Sequence, residues 1–226
     1  MAVRFKTEKD EKVMLKVAIS YVSVEQARKN MLTELSGWDF EQVKQSSFSE
    51  WNDWLGRIEV EGGSREQQIK LYTDLWHALL GRHVVSDADG HYMDMTSDFP
   101  RIRQIPLGED GKPLYNHHNF DAWWGSHWSL NILWSMAYPE VMDNFCNTMI
   151  DMYQNGGLIP RGPSGGNYTY VMIGDPAVSF LLRLIIKEFV IMMRNWLMKV
   201  CGKMLLWEVF ATMPVMNIAR QLIPVA

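Results

Sequence analysis

The apolar positions of this chain repeat with two different periods. Residues 12–22 (KVMLKVAISYV) alternate and mix β-branched with aromatic side chains, which predicts a strand. Thr7–Glu11 before it is charged and turn-like, so Val3–Lys6 and Val13–Val22 are expected to pair as a hairpin. From Ser23 the period becomes helical. Ser23 with Gln26 three residues later is a capping-box pattern, opening a helix to about Leu35, where Ser36-Gly37 ends it. Phe40–Ile58 carries Val43, Phe48, Trp51, Trp54, Leu55 and Ile58 near helical spacing, and Glu61-Gly62-Gly63 stops it. Ser64 with Gln67 repeats the capping pattern, and Ile69, Tyr72, Leu75, Trp76 and Leu79 form one helical stripe to about Leu80.

Gly81–Pro113 is long and rich in Asp, Gly and Pro. Loops beyond about 12–15 residues are usually functional or disordered, so this stretch is expected to be a site wall. Phe120–Ala137 and Pro139–Tyr153 read as helices, the second stopped by Asn155-Gly156-Gly157, and a Gly/Pro loop continues to Asp175. There is no tandem repeat. Helices alternating with long loops suit a mainly α fold, a helical toroid.

Composition adds one positive hint and several exclusions. The chain holds ten Trp, concentrated between Trp51 and Trp134. Sugar C–H groups pack on flat aromatic faces, which points to a saccharide, although the same rings also fill cores. A net charge of −4 speaks against nucleic acid, which needs a basic stripe. Cys146 and Cys201 have no metal or redox spacing. Met1-Ala-Val-Arg leads straight into charged residues with no secretory h-region, which says little if this terminus is internal to a longer protein.

Several short motifs invite a chemical reading. Asp87-Ala-Asp89-Gly90 resembles half a calcium loop, but its sixth position is Tyr92 and its twelfth Asp98, so an Asp-Gly turn is expected. His117-His118 lacks metal-ligand spacing and reads as a pair of exposed loop histidines. In Asp121–Trp134, Asp121 is a candidate helix cap, and Trp124/Trp128 and His127/Asn131 are i, i+4 pairs. An indole stripe beside an imidazole–amide stripe suits a pocket wall, the other reading being a core with satisfied polar groups. Gly162–Gly166 lacks the Gly-Lys-Ser/Thr ending of a phosphate loop and is expected to display Arg161, Asn167 and Tyr168. Asp175 before Pro176 is a helix N-cap or a ligand carboxylate.

Five separated runs together carry a resemblance: Gly37–Asn52, Arg57–Ser64, Tyr72–Leu80, Ser86–Tyr92 and the run from Asp151 (DMYQNGGLIPRGPSGGNYTYVMIGDPA). In this order, over about Lys12–Val178, the chain resembles glycoside hydrolase family 92, exo-acting α-mannosidases that cleave mannose from N-glycans and mannan. The resemblance implies that residues 1–22 are the last strands of an N-terminal β-sandwich and 23–60 a helical linker. Residues 61–180 would then be the N-terminal part of an (α/α)6 toroid. It further implies an inverting mechanism with a general-acid Glu and a general-base Asp, plus a calcium ion that helps hold the distorted mannose. The acid, the base and most calcium ligands belong to motifs further downstream, so no catalytic residue is assigned. This stretch is expected to be inactive alone and not to bind calcium fully; a non-catalytic carbohydrate-binding protein is the alternative. The partner implied is a mannose-containing oligosaccharide or N-glycan, and the full-length parent is expected to be periplasmic or secreted. Sugar contacts carried over are Trp123, Trp124, His127, Arg161, Asn167 and Asp175. One departure concerns specificity: where many members have Trp-Asp-Thr-aromatic-Arg, this chain has Trp124-Gly-Ser-His-Trp128, replacing an Asp that grips mannose hydroxyls with Gly125.

Residues 183–226 change alphabet: they contain no Asp, Ser, Tyr or His, and six basic residues against two acids. Regrouping the codons from Leu182 by one base permits EAYYKGIRDYD, which is similar to the family's continuation. Residues 181–226 are therefore expected to be an out-of-frame tail. The other reading is an amphipathic, membrane-associated tail; its longest uncharged run, Val209–Ala219, is short of the roughly 20 residues a spanning helix needs, so membrane association is not expected.

Overall fold

Ser23 opens α1 (Val24–Glu34): its hydroxyl accepts from the Gln26 N–H at 3.1 Å. The reciprocal half of the box is replaced, because the Gln26 amide donates to the Asp89 carboxylate instead. Asp39 caps α2 (Phe40–Leu55), which ends at Gly56, before the expected Ile58. Ser64 and Gln67 form the complete capping box of α3 (Arg65–Leu80). In the computed structural model, the residues described are 3–81, 83–120, 123–168 and 176–182. Contacts divide the chain into Met1–Phe180 and Leu181–Ala226, and the expected out-of-frame tail lies outside the described residues apart from 181–182.

The expected N-terminal hairpin is absent. Residues 3–6 and 13–22 form no strand, although a turn between them is present (Glu11 N–H to Glu8 C=O, 3.3 Å; Asp10 φ 68°). Val13, Leu15, Val17, Ile19 and Tyr21 are all exposed, so the alternation is real but its apolar face stays largely open to water among the described residues. A two-stranded ribbon with no covering layer is marginal in water, and the arms stay apart.

The 81–113 stretch is not one long loop. It holds β1 (His83–Val84), β2 (His91–Asp94) and β3 (Arg101–Gln104); β4 (His118–Asn119) follows it. β2 and β3 pair antiparallel with His91 opposite Gln104 and Asp94 opposite Arg101, while β1 pairs with β4. Gly90 turns the chain into β2 at φ +84°, its N–H donating to the Asp87 carbonyl at 2.8 Å, which is the expected Asp-Gly turn.

The single helix expected over 120–137 is broken. A 3-10 turn at Ser126–Trp128 is separated from α4 (Leu130–Ala137) by Ser129 at φ −145°. The cause lies in the backbone donors just before it. Phe120 N–H bonds the Pro163 carbonyl and Trp123 N–H the Arg161 carbonyl, at 3.2 and 3.1 Å, so these groups are committed to the neighbouring loop. α5 (Pro139–Gly156) begins on a proline, where no N–H is needed, and stops at Gly157 in the left-handed conformation (φ +83°).

α5 carries the core. Val141, Met142, Phe145, Cys146, Met149 and Met152 are buried along one face, and Phe145 sits inside an aromatic cluster. Its ring meets Trp123 edge-on at 4.6 Å, stacks on Trp134 at 5.4 Å, and touches Phe120 and Phe180. Residues 176–180 are helical and bring Ala177 and Phe180 into this cluster. α2 joins through aromatics: Trp54 stacks on Tyr138 at 5.6 Å, and Arg57 lies over Trp54 while pairing with Glu140. The fold is mainly helical, and no helix among the described residues is long and apolar enough to cross a membrane.

Candidate functional site

The break between β4 and α4 opens a cleft of about 340 Å³, lined by Gly81, His83, Phe120, Trp124, Gly125, Ser126 and Leu130. Trp124 stands at its edge, 56% exposed, with an indole face open to a ligand. Trp123 next to it is fully buried, its ring taken up by Phe120, Phe145 and Phe180. Of the two adjacent indoles, Trp123 packs in the core of this chain and Trp124 lines the cleft. His127 is half-buried, its Nδ1 is 2.8 Å from the Trp124 carbonyl, and its ring rests against Trp128. Asn131, paired with it in the sequence reading, is fully buried and lies apart from any exposed stripe.

Arg161 and Asn167 are exposed on the Gly/Pro loop, as expected, and Asp175 lies outside the described residues. The loop is fastened at several points. Met95 N–H bonds the Gly166 carbonyl at 3.0 Å, Gly165 N–H bonds the Asn119 side chain at 2.6 Å, and Trp123 N–H bonds the Arg161 carbonyl. Gly166 is required here: it has φ +73°, and a Cβ would sit 2.6 Å from the Met93 carbonyl oxygen. Tyr168 is not displayed. It is buried, with its hydroxyl donating to the Met152 carbonyl at 2.8 Å and accepting from Leu158 N–H, so it anchors the loop's end on α5.

The aspartates of the 87–89 turn are tethers. Asp87 accepts from Ser20 and Asn30, at 2.9 and 2.7 Å, which holds the segment before α1 and α1 itself to this turn. Asp89 accepts from Gln26, Lys29 and His91. Burial opposes its ionisation, but these donors outweigh it and hold its carboxyl down to about 2. Asp94 on β2 is buried between Arg101 and Arg103, at 3.0 and 2.7 Å, and also accepts from Thr96. Burial raises its pKa and those donors lower it, with a net fall. Asp151 on α5 is raised by burial despite the Tyr115 hydroxyl donating to it at 2.6 Å. Asp94 thus joins the two strands of the hairpin, and the Tyr115–Asp151 bond ties the segment after it to α5.

His117 and His118 are buried, contrary to the expectation of exposed loop histidines. β4 pairs with β1, and this places the His117 ring on Tyr92 and the His118 ring on Phe145. Among the described residues, no group of three or more His, Cys, Asp or Glu side chains is placed to hold a metal ion. The two carboxylates that most resemble calcium ligands, Asp87 and Asp89, are already engaged by side-chain donors. This donor set does not fit calcium, and no step is derived through it.

His83, Phe120 and Leu130 line the cleft without having been marked as site residues. His83 comes there because it pairs with Asn119, a long-range register with no local signature in the sequence.

The model of the glycosyl hydrolase family 92 catalytic domain matches residues 26–208. No curated protein matches the chain. Among solved structures, it is similar to a family GH92 alpha-mannosidase from Bacteroides thetaiotaomicron, at 26% identity and a TM-score of 0.66, covering 75% of this chain and 21% of that one. The same enzyme in complex with mannoimidazole gives a TM-score of 0.65 at 26% identity, with the same coverage. A family GH92 inverting mannosidase from the same species gives 25% identity and a TM-score of 0.59, covering 72% of this chain and 21% of that one. The chain thus spans about a fifth of the length of these relatives. With the family match extending over most of its residues, the chain belongs to glycosyl hydrolase family 92.

Proposed function

We propose that this chain is the substrate-facing opening portion of an exo-acting, inverting, calcium-dependent α-mannosidase, inactive alone. It would form the N-terminal part of an (α/α)6 toroid, joined through the 23–60 linker to a β-sandwich. The ligand is a mannose-containing glycan, met in a periplasmic or secreted setting. The reading rests on the likeness to an α-mannosidase solved with mannoimidazole, together with a cleft edged by the exposed Trp124. In it, Trp124 stacks on a sugar face, and His127, Arg161, Asn167 and Asp175 supply hydrogen bonds, with Trp123 bracing the wall from behind. Inversion needs two carboxyl groups roughly 6.5–9.5 Å apart, with a water between them and the sugar. Among the described residues lining the cleft there is no carboxylate, and in this reading the acid–base pair and the calcium are supplied by another part of the enzyme.

Two measurements test this. With α-1,2-mannobiose and calcium, the chain is expected to show no hydrolysis, and clear turnover would overturn the claim of inactivity. Calorimetric titration with methyl α-mannoside is expected to show weak binding that Trp124→Ala lowers by about threefold to tenfold, the range of an aromatic contact of about 0.5–1.5 kcal/mol. Binding unchanged by Trp124→Ala would sink the assignment of the cleft.

Gly125 makes the opposite prediction. A Cβ there meets nothing within 4 Å and φ is −88°, so Gly125→Asp is expected to fold without strain. It would also place a hydroxyl-gripping carboxylate at the cleft. The expected readout is tighter mannoside binding at unchanged thermal stability; weaker binding or a lowered Tm would contradict it.

A further inference from the structure

We propose that His117, on the segment that Asn116 and His118 bond to Asn144 and Thr148 of α5, is an acid-operated latch for the β2–β3 hairpin, so that protonating its ring releases the hairpin while α5 stays packed. The latch is built from geometry. His117 is 2% exposed, and its ring stacks on Tyr92 of β2 at 4.2 Å and 14°. Neither ring nitrogen has a hydrogen-bond partner among the described residues. Its backbone is fixed on both sides, by the Ser86 hydroxyl at 3.1 Å and the Val85 N–H at 2.8 Å, which limits the ring's freedom to turn toward solvent. The hairpin's remaining ties to α5 are few: Asn155 donates to the Tyr92 hydroxyl at 3.2 Å, and Arg101 donates to the Asn155 carbonyl at 3.1 Å.

An imidazolium carries two N–H donors, and among the described residues neither finds an acceptor here. The titratable and charged groups around it are Tyr92 and Asp94 from β2, Arg101 and Arg103 from β3, and His118 beside it in β4. Tyr115 precedes β4, and Asp151 comes from α5. Asp94 is the carboxylate that favours the charged ring, but it is already shared by two guanidinium groups and Thr96. Burial, and then the neighbouring His118, hold His117 down to about 3.

Once the hairpin opens, the ring regains an ordinary pKa of about 6.5. Opening therefore takes up a proton at any pH between about 6.5 and 3. Stability of the closed form is full above about 6.5 and falls as the pH drops, the open population rising by about tenfold per unit. Asp151, whose pKa is raised in the closed form, opposes this, and Asp94, whose pKa is lowered, reinforces it. The share of this response that belongs to the His117 ring is the part removed by His117→Phe.

Hydrogen–deuterium exchange of the intact chain, corrected for intrinsic rates, tests the latch. Opening of residues 91–104 is expected to rise by about tenfold per unit below about pH 6.5. Residues 141–152 should keep their protection, and His117→Phe should flatten the response. A hairpin insensitive to pH, hairpin and α5 opening together, or a slope retained in His117→Phe would overturn it. Should that variant not fold, the imidazole resonance of His117 in the native chain decides. An ordinary midpoint near 6.5 rejects the latch, and a midpoint below about 5 supports it.

Discussion

Replacing Phe145 by alanine is expected to lower the stability of residues 1–180 by about 3–5 kcal/mol, a large share of the ~5–15 kcal/mol available to a domain. Phe145 is fully buried, and its ring contacts Phe120, Trp123, Trp134, His118 and Phe180. These neighbours come from four different parts of the chain, so collapse around the void would require several large rings to leave their positions together. Phe145→Leu keeps most of the volume and is expected to cost well under half as much. Urea unfolding followed by tryptophan fluorescence measures both. Equal losses for the two variants would show that the cluster does not depend on ring packing.

The second large effect is expected at Asp94. Asp94→Ala removes the carboxylate that holds Arg101 and Arg103 and leaves two cations facing one another on β3. Breaking a buried ion pair from one side typically costs about 3–5 kcal/mol. Both guanidinium groups are about one-third exposed and regain water, so about 2–3 kcal/mol is expected here. The loss should concentrate in the hairpin: faster proteolysis between residues 91 and 104, with α3 and α5 intact. If Asp94→Ala destabilises no more than Arg103→Gln does, the carboxylate is not the centre of the network.

The elements legible in the sequence were those with local causes. Ser23, Asp39 and Ser64 cap their helices through donors three residues away, and Gly157 ends α5 through its own conformation. What escaped the sequence depends on distant partners. β2 and β3 are only four residues each, too short to carry a readable period, and β4 exists because residues 83–84 lie alongside it. Burial of His117 and His118 follows from that pairing. Trp123 and Trp124 illustrate the same limit within the cleft. They are adjacent, one is at 0% and the other at 56% exposure, and the chain between β4 and α4 has no regular period that would tell them apart. The helix expected across this stretch failed because its N–H groups bond to a loop some forty residues later.

In concentrated solution the segment at 13–21 is expected to be a point where two molecules meet. Its backbone makes no strand pairing among the described residues, and it shows a row of aliphatic and aromatic side chains to water. Such an edge is a template for strand addition between molecules. Natural edges are guarded by lysines that project from them, and here there are two, Lys16 within the segment and Lys12 just before it. Lys16 is folded back, its ammonium 2.6 Å from the Leu35 carbonyl and 4.4 Å from the centre of the Trp38 ring. Solubility of the isolated chain therefore leans on the one remaining guard, Lys12.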